Sequence, residues 1–300
     1  MQGVIRVYHN KFLILGGDLR SIALAEHLIA DEKKVEAFGF SQYNAGQNSK
    51  IVFPKDFLSA VQNAEIIVGP VPCCSEKSIL NTPLHNRTID VEVTLDAMTK
   101  EQVFIAGRIH ADVIDKAAAR DIAIFDMLER NEMAILNAIP TAEGAIQIAM
   151  EEMQTTLHGS NVMVLGYGRI GKILTKMLQG IGANVFAATR RHDDAATIRS
   201  YGYNPLFYHQ LRDYLCNMDL IINTVPHIIL DKHNLKFIGR NCLIIDLASK
   251  PFGVDFEASK KEGLKVMWAP SLPGKVAPVT AASYIKETVY NIVNEWGRST

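Results

Sequence analysis

Long hydrophobic runs are missing from this 300-residue chain. A membrane-spanning helix needs roughly 18–20 consecutive apolar residues, and no stretch comes close, so no membrane partner is expected. An excess of charge of one sign is missing too. The 31 Lys and Arg against 32 Asp and Glu leave a formal net charge of -1, which gives no general basic field for nucleic acid. Cysteine is scarce. Cys73, Cys74, Cys216 and Cys242 form no CxxC pair, and adjacent Cys73 and Cys74 are poorly placed to grip one ion. A zinc site is therefore not expected, and a reducing cytoplasm is the default compartment. No apolar signal core with a small-residue cleavage site precedes the first motif. The stretch Lys11-Phe12-Leu13-Ile14-Leu15-Gly16-Gly17 is too short for one and reads as a strand running into a turn. No segment is of low complexity.

What is present is an ordinary globular balance, 48% apolar and 21% charged, at a length that supports two domains. Both halves repeat the rhythm of short apolar strand, turn and helix. Strands are expected at Phe12–Leu15, Lys34–Gly39, Ile66–Val68, Val103–Ala106 and Ile122–Phe125, with a helix at Asp18–Ala30. The second half offers Val162–Leu165, Val185–Ala188, Leu220–Asn223, Leu243–Asp246 and Lys265–Trp268. Short buried strands separated by helices predict parallel sheets covered on both faces. The expected fold class is α/β, with two doubly wound, Rossmann-like parallel-sheet domains and a cleft between them. Residues 1–140 with a C-terminal helix at about 279–300 would form the first domain. A linking helix at about 141–156 would follow, and 157–278 would form the second domain. Pro140 suits the start of that linking helix. Ala269–Gly274 reads as a loop, with the helical tail running from about Val279 to Trp296.

The stretch Gly166-Tyr167-Gly168-Arg169-Ile170-Gly171 is a GxGxxG that follows a strand and opens a helix, the context a dinucleotide site requires. Gly166 permits the tight turn, Gly168 lets the backbone approach a pyrophosphate, and Gly171 lets helix and strand pack closely. The helix N-terminus offers N–H groups to the anion. An NAD site usually places Asp or Glu about 20 residues on, at the end of the next strand. Here Ala188-Thr189-Arg190-Arg191 stands there instead, with no acid before Asp193. Thr189 with Arg190 and Arg191 would bind a 2′-phosphate, arginine through its fork, so NADP is the expected cofactor. The two arginines could also be a solvated helix start. Thr224-Val225-Pro226 and Leu247-Ala248-Ser249, at the ends of two later strands, would flank the nicotinamide, unless they are plain turns. Asp18 and Arg20, beside Gly16-Gly17, either face a cleft or serve as a helix cap and its neighbour.

Five stretches carry a resemblance. They are Ile14-Leu15-Gly16-Gly17-Asp18, Ile139-Pro140-Thr141-Ala142-Glu143-Gly144, Leu157-His158-Gly159-Ser160, Asp246-Leu247-Ala248-Ser249-Lys250-Pro251 and Ala269–Pro278. The plan resembles the formate/glycerate and alanine dehydrogenase superfamily. More specifically, the chain is similar, essentially end to end, to the A subunits of bacterial dipicolinate synthase. The resemblance implies a sporulation enzyme of the mother-cell cytoplasm. It would oxidise a dihydrodipicolinate, formed from hydroxytetrahydrodipicolinate, to the aromatic pyridine-2,6-dicarboxylate. It also implies a partner, the flavoprotein-like second subunit of the synthase.

That chemistry needs a hydride acceptor, a base for a ring proton, and cations for two carboxylates. The cation candidates are Arg20, Arg87, Arg108, Lys250 and Lys275, with Lys250 best placed, just past a strand end. His227 and His110 are the candidate bases. Ser75 and Cys74 could hydrogen-bond a carboxylate, or cap a helix expected near Ser75. A 2-hydroxyacid dehydrogenase is one rival. Lys250 stands where such enzymes carry an arginine, and Pro270–Pro278 holds no histidine, and both departures weigh against it. A non-catalytic NADP-binding or scaffold subunit is the other. A homo-oligomer, a dimer by frequency among soluble oligomers, is expected. Phe252, Phe256 and Trp268 could serve such an interface or a core.

Overall fold

The computed structural model describes residues 10–46 and 49–299. Residues 1–9, 47, 48 and 300 of the expected first domain lie outside the described residues. Strands are β1 Lys11–Leu15, β2 Lys34–Phe38, β3 Ile66–Val68, β4 Val103–Ala106, β5 Ala123–Asp126, β6 Asn161–Leu165, β7 Asn184–Thr189, β8 Asn204–Phe207, β9 Leu220–Asn223, β10 Leu243–Asp246 and β11 Lys265–Trp268. Helices are α1 Leu19–Ala30, α2 Phe57–Asn63, α3 Val91–Ala97, α4 Ala111–Ala118, α5 Asn131–Glu152, α6 Arg169–Ile181, α7 His192–Ser200, α8 Leu211–Leu215, α9 Lys232–Leu235, α10 Phe256–Lys261, α11 Leu272–Val276 and α12 Pro278–Ser299. The chain divides into two compact units, Met1–Leu136 with Ala277–Thr300, and Asn137–Val276.

The first unit carries a five-stranded sheet in the order β2-β1-β3-β4-β5, every pair parallel. Side chains alternate across it, as the period-two rule demands. Phe12 and Ile14 face a layer built from Ile22, Leu24 and Leu28 of α1 and Ala282, Ile285 and Val289 of α12. Leu13 and Leu15 face Val61, Val91, Leu95 and Val113 on the other side. The second unit carries a six-stranded parallel sheet, β11-β10-β9-β6-β7-β8. Counted from β6, that is the 3-2-1-4-5-6 order of dinucleotide-binding domains. Val162 and Val164 pack on Leu174 and Leu178 of α6, and Met163 and Leu165 on Leu211, Leu215 and Leu235. Both sheets are doubly wound, which is the expected fold class.

Four local expectations differ from what forms. Pro140 does not begin a helix but sits inside the 22-residue α5. Proline removes one helical N–H there, and the Thr141 hydroxyl donates to the Asn137 carbonyl at 2.7 Å one turn back. The boundary between the units falls within this helix. No helix begins at Ser75, because residues 74–90 form isolated antiparallel bridges, Cys74 with Leu80 and Ile79 with Asp90. Leu272–Val276, within the stretch read as non-helical, forms α11. Strand β8 was not expected, since Pro205 interrupts its pattern. It lies at the sheet edge, where a proline is tolerated.

Candidate functional site

Strands β6 and β9 of the second unit neighbour each other at the point where the sheet's winding reverses, so a crevice opens beyond their carboxyl ends. Gly166 follows β6 with φ at 96°, and a Cβ there would meet the Thr224 hydroxyl at 2.6 Å. The Thr224 hydroxyl is itself bound to the Leu165 carbonyl at 2.9 Å, so the loop after β9 lies directly against the glycine turn. A Cβ on Gly171 would strike the Gly166 carbonyl oxygen at 2.0 Å, so α6 touches the turn through bare backbone. Gly168 differs from both. A Cβ on it would meet nothing within 4 Å, and it caps α6 with no side-chain hydrogen bond. The structure thus leaves an open cradle at a helix N-terminus, which fits a pyrophosphate. Only the backbone of Tyr167 belongs to that cradle, since its ring packs against Ala187 and Ile198. Burial pushes the Tyr167 phenol up from its ordinary range.

The end of β7 is more crowded than its sequence suggests. Thr189 is buried, and its hydroxyl lies 3.3 Å from Asp194 and 3.2 Å from the Arg191 N–H. Arg191 forms a fork on Asp193 and lies 3.8 Å from Asp194. This pairing holds Asp193 low, at about 2. Arg190 is exposed and its positive charge opposes the upward push that burial gives the Tyr208 phenol. The first turn of α7 therefore brings acids next to Thr189, three and four residues after Arg190. Side-chain geometry decided this, and Asp193 and Asp194 were the signal available in the sequence.

The two later loops are held by a buried pair. Asn223 and Asp246 are each 0% exposed. Asn223 donates to Asp246 at 2.8 Å and to the Val225 carbonyl at 2.9 Å. Asp246 accepts the Ala248 N–H at 3.0 Å and the Gly253 N–H at 2.9 Å. Trp268 donates its indole N–H to the Ala248 carbonyl at 3.1 Å, and Phe252 meets both Trp268 and Phe256 edge-on. His227, Ser249 and Lys250 are exposed on these loops, and Lys275 is exposed on α11. The network missed by sequence reading begins with an acid ending a fully apolar strand, a legible signal of a buried, partnered carboxylate.

The first unit has its own reversal point, between β1 and β3. Asp18 caps α1 and forks Arg20, whose Nε and Nη2 reach its carboxylate at 2.9 and 2.8 Å. Arg20 is only 7% exposed and also donates from Nη2 to the Val71 carbonyl. Arg108 follows β4 in the left-handed region, φ 52°, with its N–H and that of Ile109 held by Asp126 at 2.9 and 2.7 Å. A Cβ on the neighbouring Gly107 would meet both Val71 methyls at 2.9 Å, so Arg108 and Arg20 flank the same loop. Ser75 is exposed, whereas Cys74 is buried with its sulfur 3.8 Å from that of Cys73. His110 sits at the N-cap of α4 with no side-chain bond. Arg87 is exposed beside His85, and burial together with that positive charge pulls His85 down. Among the described residues, no group of three His, Cys, Asp or Glu is gathered to hold a metal, and no helix is long and apolar enough to cross a membrane.

Two doubly wound parallel sheets, one carrying an open glycine cradle at its reversal point, define an NAD(P)-dependent dehydrogenase architecture. Residues 127–249 match the NAD binding domain of D-isomer specific 2-hydroxyacid dehydrogenases, and residues 11–128 match the N-terminal domain of the dipicolinate synthase A subunit. The chain is 31% identical over 286 residues to the dipicolinate synthase A subunit of Bacillus subtilis (strain 168), covering 95% of this chain and 96% of that protein. The crystal structure of that Bacillus subtilis protein superimposes with a TM-score of 0.86 at 30% identity, over 98% and 99% of the two chains. That of its Bacillus halodurans counterpart does so at 0.83 and 29%, over 94% and 96%. An L-alanine dehydrogenase, 15% identical, shares the fold at 0.63 over 93% and 88%. This chain belongs to the family of dipicolinate synthase A subunits.

Proposed function

We propose that the chain is the NADP-dependent dehydrogenase subunit of a dipicolinate synthase, acting in the mother-cell cytoplasm during sporulation. Its reaction would convert dihydrodipicolinate, derived from hydroxytetrahydrodipicolinate, to dipicolinate, with NADP⁺ reduced to NADPH and one proton released. The observation that carries this reading is the 31% identity over 95% of the chain to the dipicolinate synthase A subunit of Bacillus subtilis, together with an open Gly168 cradle. The second unit is the nucleotide-binding one in this reading, and the first is the substrate-side one. The backbone of Gly166–Gly171, including Tyr167, Arg169 and Ile170, holds the pyrophosphate. Thr189 and Arg190 take the 2′-phosphate, joined by Arg191 when it exchanges Asp193 for that phosphate. Thr224–Pro226 and Leu247–Ser249 flank the nicotinamide.

A bound nicotinamide supplies the hydride acceptor. The chain's own residues supply the rest. His227 takes the ring proton, since an imidazole is suited to transfer near neutral pH. Arg20, Lys250 and Lys275 hold the carboxylates, and Ser75 donates a hydrogen bond to one of them. Asp18 and Val71 hold Arg20 through Nε and Nη2, which leaves Nη1 to reach a carboxylate with little rotamer freedom lost on binding. Asp18 also cancels its charge. A homo-oligomer and a flavoprotein-like second subunit complete the reading.

The test is turnover. Hydroxytetrahydrodipicolinate is generated in situ with the protein and NADP⁺, with and without the second subunit, and NADPH and dipicolinate are followed together. Stoichiometric appearance of both is expected. NADPH binding without product in either run would leave a dinucleotide-binding subunit with no chemistry of its own.

A further inference from the structure

We infer that Asn223 and Asp246 are positioning residues that clamp two carboxyl-edge loops into a preformed lip for the nicotinamide end of the dinucleotide. The inference rests on the dinucleotide reading above and deepens it. Both side chains are 0% exposed, and all their hydrogen bonds go to each other or to backbone. A carboxylate without partners at that depth would be strongly unfavourable. Asp246 instead accepts three N–H groups, from Ala248, Gly253 and Asn223. Both side chains are fully buried and Asn223 has spent both its amide N–H groups, so the pair acts through what it holds.

What it holds lies at the carboxyl side of the sheet, beside the reversal point. Asn223 bonds both backbone groups of Val225, which fixes the loop leading to Pro226 and His227. Asp246 pins both ends of the loop Ala248–Gly253, which carries Lys250. The clamp leaves no room for a side chain at residue 253, since a Cβ on Gly253 would stand 1.9 Å from the Asn223 amide. Trp268 buttresses the same loop from outside, through its bond to the Ala248 carbonyl and its edge-on contact with Phe252. Loops ordered before binding lose less entropy on binding, which favours the group they receive. The phosphate cradle at Gly166–Gly171 shares none of these hydrogen bonds, although Thr224 and Val225 lie against Gly166, so the clamp should matter most for the nicotinamide end of the dinucleotide.

The experiment compares NADPH with 2′-phospho-ADP-ribose, which lacks the nicotinamide, on the full chain and on two variants. Asp246→Asn turns a donor toward the Gly253 N–H, and Gly253→Ala displaces the Asn223 amide while leaving Asp246 intact. Each should weaken NADPH by about tenfold and the fragment by less than about twofold. The second readout is Trp268 fluorescence in a Trp296→Phe background, which leaves one indole in the chain. Both variants should red-shift it and raise its quenching by acrylamide. Equal weakening of both ligands, or no weakening with Trp268 unchanged, overturns the clamp. If the unaltered protein binds neither ligand, the dinucleotide reading fails by itself. The Trp268 quenching then decides the clamp, raised for it and unchanged against it.

Discussion

Individual side chains at the nucleotide cradle make separable predictions because their surroundings differ so sharply. A methyl on Gly168 meets open space, so Gly168→Ala should leave the melting temperature unchanged and abolish measurable NADPH binding by titration. A methyl on Gly171 meets the Gly166 carbonyl, so Gly171→Ala should instead destabilise the fold by about 1–3 kcal/mol in urea denaturation. The two arginines after β7 should also separate. Arg191 is already neutralised by Asp193, whereas Arg190 stands apart from that pair. Arg190→Asp should weaken NADPH by roughly tenfold to a hundredfold, the cost of a charge-assisted fork, and Arg191→Asp by less. Equal or tighter binding of NADH than of NADPH by the unaltered protein would remove the 2′-phosphate reading. The glycines were legible in the sequence because backbone geometry leaves few alternatives. The partners of Arg191 were not, because ion pairing depends on where the next helix starts.

Among the elements, the closing helix α12 is held to α1 by more than apolar contact. Asp31, which caps the end of α1, accepts Lys286 at 2.7 Å and Tyr290 at 2.9 Å. The Lys286 hydrogen bond is the main reason that the Asp31 carboxyl sits below its ordinary range, against an opposing effect of burial. Arg130 bridges Glu132 and Glu295 in the same unit. A depressed carboxyl contributes its stability in full above its unfolded pKa of about 4 and loses it as pH falls through the lowered folded value. Asp31→Asn should therefore reduce unfolding free energy at neutral pH by about 0.2–1 kcal/mol, the range of partly exposed pairs, and flatten the acid side of the stability profile. Urea titrations from neutral pH down to about pH 3 would check it, the lower limit lying beneath the ordinary aspartate value. The helical period of this tail was readable from its apolar spacing. Strand β8 and the passage of α5 through Pro140 were not, since in both places packing overrides what a proline ordinarily signals.

Taken as a molecule, the chain contains two sheets whose reversal points hold different chemistry. The second has an open glycine cradle, and the first has a locked arginine beside a left-handed one. NADPH at a hundred times its dissociation constant should stabilise what it binds by about 2.7 kcal/mol. Hydrogen exchange should show that protection in β6, α6 and the loops after β9 and β10, with the amides of Gly16–Arg20 unaffected. Protection of Gly16–Arg20 instead would put the dinucleotide on the first unit.

Local pattern along the chain suffices for the fold class, nearly all the strands and the glycine cradle. Each of these rests on alternation, period and spacing that neighbouring residues impose on one another. Folding alone brings Asp246 between residues 223 and 253 and makes Asp126 set the backbone of Arg108. Those contacts join residues by hydrogen-bond geometry between strand ends and helix starts. No spacing along the chain encodes a distance of about 3 Å between side chains that only a folded sheet brings together.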